Sequence, residues 1–219
     1  MKAINYINDS DYIESIKSGQ WATTKWMISK VARISGYNIG PVYHGTENPN
    51  FTVFDCEVNH FGTEQAAHEI MKKHGGRYID YTIDNSSDGI WVFADRDYLH
   101  IKSCDGMGPF NTLSEAEIFI SNLPKEIKLY EVFLNIDNPT YDIDAGGTGA
   151  WRRAKGRAVK EGGYDGIIYK NEVEDPGSES YAVFYGNQIK LADPITYDDN
   201  GDIIPLSRRF NRLELDIRY

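Results

Sequence analysis

Several features that would settle the class of a chain quickly are missing from these 219 residues. There are only two cysteines, Cys56 and Cys104. They stand in no Cys-x-x-Cys or zinc-type spacing, and reduced thiols in a cytoplasmic protein fit that usage better than a disulfide scaffold. No run of 18 apolar residues occurs, so no membrane span is read. The first twelve residues, MKAINYINDSDY, contain no apolar core of a signal peptide. No set of His, Cys or carboxylate residues has metal-ligand spacing, so no metal is expected. Positive charge is also scarce: 23 Lys and Arg face 33 Asp and Glu, for a net charge of −10 and a pI near 5.0. That balance excludes broad, sequence-independent gripping of a phosphate backbone, though a local basic patch stays compatible with it. No internal repeat or low-complexity linker interrupts the chain.

What is present is an ordinary globular composition, 41% apolar and 26% charged, in a chain long enough to bury a core without staples. Fifteen Tyr and four Trp suit sheet surfaces and stacking pockets alike.

The periodicities place short strands among helices. Asp9 or Ser10 caps a first helix through Tyr12, Ile13 and Ile16, which Gly19 stops. A second helix starts at Thr23 or Thr24, carries Met27, Val31 and Ile34 as an apolar stripe, and ends at Gly36. Pro41-Val42-Tyr43 leads as a strand into His44-Gly45-Thr46 and the polar loop 47–50. Residues 51–54 read as a short strand. Thr63 caps a helix with Ala66, Ala67, Ile70 and Met71 that ends at Gly75. Strands follow at 78–83 and 90–94, with a polar turn over 84–89. Ser114 and Glu117 have capping-box spacing before a helix that Pro124 stops. Residues 129–136 alternate as a strand. Residues 149–161 form a basic helix closed by Gly162-Gly163. Residues 166–170 and 181–185 are further strands, and Asp199-Asn200-Gly201 is a turn in the tail. Strands and helices without regular βαβ alternation indicate an α+β fold.

Three segments carry the chemistry. The first is Val42-Tyr43-His44-Gly45-Thr46, where an imidazole stands at a strand end beside a glycine whose bare backbone admits a flat group. The second runs from Tyr164-Asp165-Gly166 through Asn171 to Glu174. The third runs from Ser180-Tyr181 through Gln188 to Lys190. In this order they resemble the ADP-ribosyltransferase domains of phage and mobile-element polyvalent proteins, distant relatives of the poly(ADP-ribose) polymerases and diphtheria-type toxins. The likeness extends from about Asp11 to the C-terminus, including the tail ADPITYDDNGDIIPLSRRFN.

That resemblance implies a split antiparallel β-core with surrounding helices, preceded by an N-terminal helical segment. It divides the chain into a helical part over 1–40, a core over 41–193 and a tail over 194–219 packed on that core. It implies NAD as substrate, held by His44, Gly45 and Thr46. The framing motif is His60-Phe61-Gly62-Thr63 or Gly89-Ile90-Trp91-Val92-Phe93. The former is the better candidate because a helix N-terminus follows it and suits an anionic phosphate. Phe61 and Tyr181 are candidate stacking residues, and Gln188 closes the last strand or lines the site. Relatives place a glutamate directly before the tyrosine of the last strand, where this chain has Ser180. Glu174, ranked first, or Glu179 would then supply the carboxylate that faces the developing sugar cation, with Glu172 a further acid nearby. The implied reaction is transfer of ADP-ribose to a macromolecular acceptor, protein or RNA/DNA. The setting would be a toxin or phage-conflict effector with a neutralising antitoxin-type partner. The alternatives are an NAD glycohydrolase and a catalytically weak binding module.

Plainer readings stand beside these. His68, His74 and His100 read as surface residues. Glu172, Glu174 and Glu179 beside Pro176-Gly177-Ser178 are ordinary loop acids without the motif. Trp91, Phe93, Tyr181 and Phe184 suit a core. Arg152, Arg153, Lys155, Arg157 and Lys160 read first as a solvated helix face and second as a docking patch for phosphates, which Arg208, Arg209 and Arg212 would extend.

Overall fold

The computed structural model describes residues 7–46, 51–55, 57–74, 80–86, 89–96, 101–102, 107–122, 128–144 and 149–219. Both cysteines, His100, Gly75, Pro124 and the loop 47–50 lie outside them. In chain order the elements are α1 (Asp9–Lys17), α2 (Trp21–Ile34), β1 (Ile39–Thr46), β2 (Asn59–Phe61), α3 (Glu64–His74), β3 (Asp80–Ser86), β4 (Gly89–Arg96), β5 (Ile101–Lys102), β6 (Met107–Phe110), α4 (Leu113–Asn122), β7 (Lys128–Leu134), β8 (Pro139–Ile143), α5 (Gly149–Glu161), β9 (Gly166–Lys170), β10 (Glu179–Val183) and β11 (Ile189–Leu191), with two 3₁₀ turns at Gly186–Gln188 and Leu206–Arg208. The fold is α+β. No helix among the described residues is long and apolar enough to cross a membrane.

The chain forms two compact units. One comprises Met1–His44, Asn50–Glu64 and Tyr130–Tyr219, and the other Gly45–Pro49 and Gln65–Leu129. The N-terminal helices and the tail thus share a unit with the strands that carry the sequence motifs. In this larger unit two sheets, ordered β1-β7-β11 and β2-β10-β9-β8, enclose the main core. Val42, Phe61, Tyr130, Val132, Leu134, Val183, Ile189 and Leu191 meet there with Phe54 and Ile217. β7 shows why alternation alone was informative but incomplete. Tyr130, Val132 and Leu134 face this core, while Phe133 faces a second one built from Tyr12, Met27, Ile28, Ala32, Leu206 and Phe210. A third cluster, Ile167, Ala182 and Phe184 with Val58 and Val159, lies between the other sheet and α5. Each fully buried Val, Leu, Ile, Phe or Met among them contributes about 1.5–3 kcal/mol.

Several boundaries differ from the sequence reading for local reasons. α1 is capped by Asn8, whose side chain accepts from the Asp11 amide; an Asn one residue upstream outcompetes Asp9 and Ser10. α2 starts at Trp21 without a side-chain cap, and its buried stripe is Thr24, Met27, Ile28 and Ala32. Ile34 is 66% exposed, so the stripe runs along the next ridge of the helix. Gly36, at φ +94°, ends it as a left-handed residue. α4 is capped by Thr112 and Glu115, the hydroxyl taking the Glu115 amide and the carboxylate the Asn111 amide, two residues ahead of the expected pair. Residues 51–54 make only a bridge from Val53 to Asp216; they serve the core through Phe54 rather than a ladder. β8 was missed because Pro139 and Asp142 mask it. It pairs with β9 in parallel across the α5 connection, so the second sheet is mixed rather than wholly antiparallel.

The smaller unit holds the β3–β4 hairpin, with β5 and β6 on β4. A Cβ at Gly45 would lie 2.4 Å from Met71 Cγ and Sδ and 3.1 Å from the Ala67 carbonyl, so this glycine lets α3 approach its own unit closely.

Lys190 is a buried cation, 1% exposed, donating to the carbonyls of Glu214 and Asp216 at 2.8 and 2.7 Å. It ties the tail to β11. Burial pulls its pKa down to about 8, against an opposing pull from Glu214 and Asp216. The unfolded chain therefore binds the extra proton between about pH 8 and the ordinary lysine value of 10.5, and stability rises with pH across that window. The difference in urea-unfolding free energy between wild type and Lys190→Met should shift in favour of wild type between pH 7.5 and 10. A pH-independent difference would show that folding leaves this ammonium unperturbed.

Candidate functional site

β2 is only three residues long, yet it joins the motif segments. Its Phe61 lies opposite Tyr181 and its His60 opposite Ala182 on β10. Immediately after it, Gly62 exchanges two backbone hydrogen bonds with Tyr43 of β1, at 2.8 and 3.0 Å. Tyr43-His44, His60-Phe61-Gly62-Thr63 and Glu179-Ser180-Tyr181 thus lie side by side, although 16 and then 119 positions separate His44, His60 and Glu179 in the chain.

The period of two along a strand decides which side chains share a face. Phe61 and Tyr181 both pack on the main core. Glu179, two residues from Tyr181, falls on the same face, and the Tyr181 hydroxyl donates to its Oε2 at 3.0 Å. His44 belongs here too, its ring 5.1 Å from that of Phe54 and 5.3 Å from that of Phe61. Ser180 points to the reverse face, 2% exposed, where its Oγ takes a hydrogen bond from Asn171.

The polarity of His44 follows from its partner. Nδ1 stands 2.8 Å from the His60 carbonyl. A carbonyl oxygen only accepts, so Nδ1 carries the hydrogen and Nε2 presents a lone pair. Burial holds the pKa below its usual value, with the His60 carbonyl pulling the other way. The imidazole is neutral at pH 7 and presents an acceptor, its donor being committed to the protein.

Other expected site residues have different duties. Phe61 is 3% exposed and packs against His44 and Phe54, which leaves little open ring for stacking. Gly62 spends both backbone groups on Tyr43. Gln188 Oε1 accepts from the Phe184 and Tyr185 amides, and Nε2 donates to the Asn135 and Asp165 carbonyls. All four of its bonding positions are filled, so it closes the strand structurally. Gly45 and Thr46 end β1. Tyr181 is half-buried and retains accessible ring.

Glu172, Glu174 and Asp175 lie on one loop, between β9 and β10. Asn171 Oδ1 accepts from the amides of Val173, Glu174 and Asp175 at 2.9, 2.8 and 3.1 Å, which folds residues 172–175 into a turn. Asp175, which the sequence reading passed over, accepts the Thr63 hydroxyl at 2.6 Å and so fastens the loop to the end of β2. No spacing rule signals such a pair across 112 positions.

The basic helix α5 spends its described cations within the fold. Lys155 pairs with Asp142, Arg157 with Glu57 at 2.8 Å, and Lys160 lies 4.1 Å from the Tyr185 ring centre. The side chains of Arg152 and Arg153 lie outside the described residues. Arg209 is buried against Tyr12 and Leu191, and Arg212 holds Asn135 and Asp137. Arg157 and its partner Glu57 are each more than half exposed, so the described face of α5 is a solvated one whose cations have partners in the protein, while Arg209 and Arg212 hold the fold.

Compared with known proteins, the chain matches no family model, no curated protein and no solved structure.

The Tyr181–Glu179 contact makes its own prediction. Burial, then the Glu179 carboxylate, pushes the phenol up to about 12. Glu179→Gln removes a negative charge that opposes phenolate formation, so the Tyr181 titration should move down while staying above the ordinary value of 10.0. Ultraviolet titration near 295 nm, with Tyr181→Phe to identify the signal, measures it; an unmoved titration would mean that the two groups do not meet in solution.

Proposed function

We propose that this protein is an NAD-dependent mono-ADP-ribosyltransferase built on an ADP-ribosyltransferase-like core. The observation that carries the reading is that His44, from the β1 sheet, packs on Phe61 of β2, which lies opposite Tyr181 of β10 with Glu179 bonded to its hydroxyl, in the order of motifs that the resemblance assigns. NAD would supply an activated glycosidic bond. That bond breaks with its electron pair leaving on nicotinamide, and an acceptor nucleophile bonds to the ribose carbon and loses its proton.

The chain's own residues suit that task. His44 Nε2 accepts a hydrogen bond, as a ribose hydroxyl requires, and its tautomer is held by the His60 carbonyl. Tyr181, half-buried, lies opposite Phe61, on which the His44 ring packs. Glu179, on the same face, places a carboxylate where a ribose 2′-hydroxyl and a developing positive charge gain from it. Glu174, carried on the adjoining turn, is the rival for that role. Glu179 takes precedence because strand alternation sets it beside Tyr181, whereas the sequence alone ranked Glu174 first. The protein or nucleic-acid identity of the acceptor, and a setting in conflict between phages and bacteria, rest on the resemblance.

One observation favours a second reading. The position that relatives give to an acid is filled by Ser180, buried on the reverse face. A domain that binds NAD without turning it over would have that character.

Nicotinamide release from NAD by the purified protein separates the two. Wild type should release it; His44→Ala should lose about 10²-fold or more, and the more damaging of Glu179→Gln and Glu174→Gln marks the acid. Because protonation of His44 removes its acceptor and burial lowers its pKa, turnover should persist below pH 6.5, the ordinary histidine value. NAD binding without release establishes the binding module; undiminished release in His44→Ala and in the double glutamate variant ends the transferase reading.

A further inference from the structure

The loop over residues 171–178 carries Glu174 and Asp175 and delivers the chain to Glu179. One residue, Asn171, holds both of its arms, the outgoing one through its side chain and the returning one through its backbone. On the outgoing arm, Asn171 Oδ1 gathers three successive amides, those of Val173, Glu174 and Asp175. On the returning arm, the Asn171 amide donates to the Ser178 carbonyl at 2.9 Å, and the Gly177 amide donates to the Asn171 carbonyl at 2.8 Å. The remaining donor, Nδ2, reaches Ser180 Oγ at 3.3 Å. Asn171 is 4% and Ser180 2% exposed, so neither is available to a ligand. Their polarity is spent wholly on the loop.

An asparagine suits this place because a single amide offers an acceptor with two lone pairs and a donor on opposite sides. Three amides converging on one oxygen fix the backbone dihedrals of the turn. The Thr63–Asp175 bond then docks the fixed turn against the end of β2.

We infer that Asn171 is a positioning residue for the site's carboxylates, and that Ser180, where relatives carry an acid, serves as its anchor. The pair sets the turn bearing Glu174 and the strand start bearing Glu179 as one rigid piece. This rests on the NAD-transfer reading above for its functional consequence, whereas the loop mechanics stand apart from it. A carboxylate that must face a reacting sugar tolerates little displacement; about 1 Å of misplacement costs on the order of 10²-fold in rate. Pro176 and Gly177, both exposed, offer no hydrophobic substitute for this network.

Two readouts test it together: hydrogen exchange of the amides in residues 171–178, and nicotinamide release from NAD with kcat and KM resolved. Asn171→Leu keeps the size but removes the acceptor and donor. It should lose exchange protection at residues 173–175 and about 10²-fold in kcat, with KM for NAD little changed. Asn171→Asp keeps acceptor oxygens for the three amides and should restore protection and most of kcat. Ser180→Ala should fall between them. If Asn171→Leu does not fold, Asn171→Ser and Ser180→Ala make the same comparison. Lost protection with wild-type kcat overturns the inference and leaves the transferase reading intact, as does protection that survives in Asn171→Leu. A wild-type protein with a protected loop and no nicotinamide release overturns both.

Discussion

The pair of backbone hydrogen bonds between Tyr43 and Gly62 is the constraint on which the rest of the candidate site depends. On one side of it lies β1 with His44. On the other lies β2, which registers Phe61 against Tyr181. Hydrophobic contact between the two sheets is non-directional, and this bridge fixes where β1 meets β2. With it, the His60 carbonyl comes within 2.8 Å of His44 Nδ1 and decides which ring nitrogen carries the proton. Gly62 is itself buried in the process. The glycine that a motif reading offers to a ligand is used by the fold to hold its own strands.

The same economy recurs around the site. Polar groups that look available in a linear sequence turn out to be committed inside the protein, because a buried donor or acceptor left unpaired costs about 1–3 kcal/mol. Gln188 satisfies four backbone groups at the β10–β11 corner, Asn171 satisfies its loop, and Lys190 satisfies two carbonyls of the tail. What remains for a ligand is a smaller set: an imidazole lone pair, a half-buried phenol and the carboxylates of the adjoining loop. That set is acceptor-rich, which fits hydroxyl groups and developing positive charge better than it fits phosphate. The described cations of α5, which would have met phosphate, are paired with Asp142, Glu57 and Tyr185.

How much of this was legible in the sequence varies with the range of the interaction responsible. α5 and β9 occupy the residues read for them, because each is bounded by local signals: glycines at the helix end and a short β-branched run. α2 was placed within two or three residues, and Met27 and Val31 of its stripe pack on the second core, but Ile34 is exposed and Ile28 and Ala32 are buried beside them. β2 and β8 were not legible at all. One has three residues and the other opens on proline and contains aspartate, so their strand character comes from the neighbours they pair with. Duties read from residue type differ from those set by surroundings: Phe61, read as a stacking residue, packs in the core, and of the two readings of Gln188 the structural one holds.

The amino-acid sequence by itself determined the α+β class, most of the helices and the alternating strand β7. These depend on periodicity and on capping, which act over a few residues. Only the tertiary structure decided that His44 presents an acceptor, that Ser180 and Glu179 lie on opposite faces, and that Asp175 meets Thr63. Those outcomes are set by register between strands far apart in the chain. A shift of one residue in that register would reverse every face, and no local signal in the sequence encodes it.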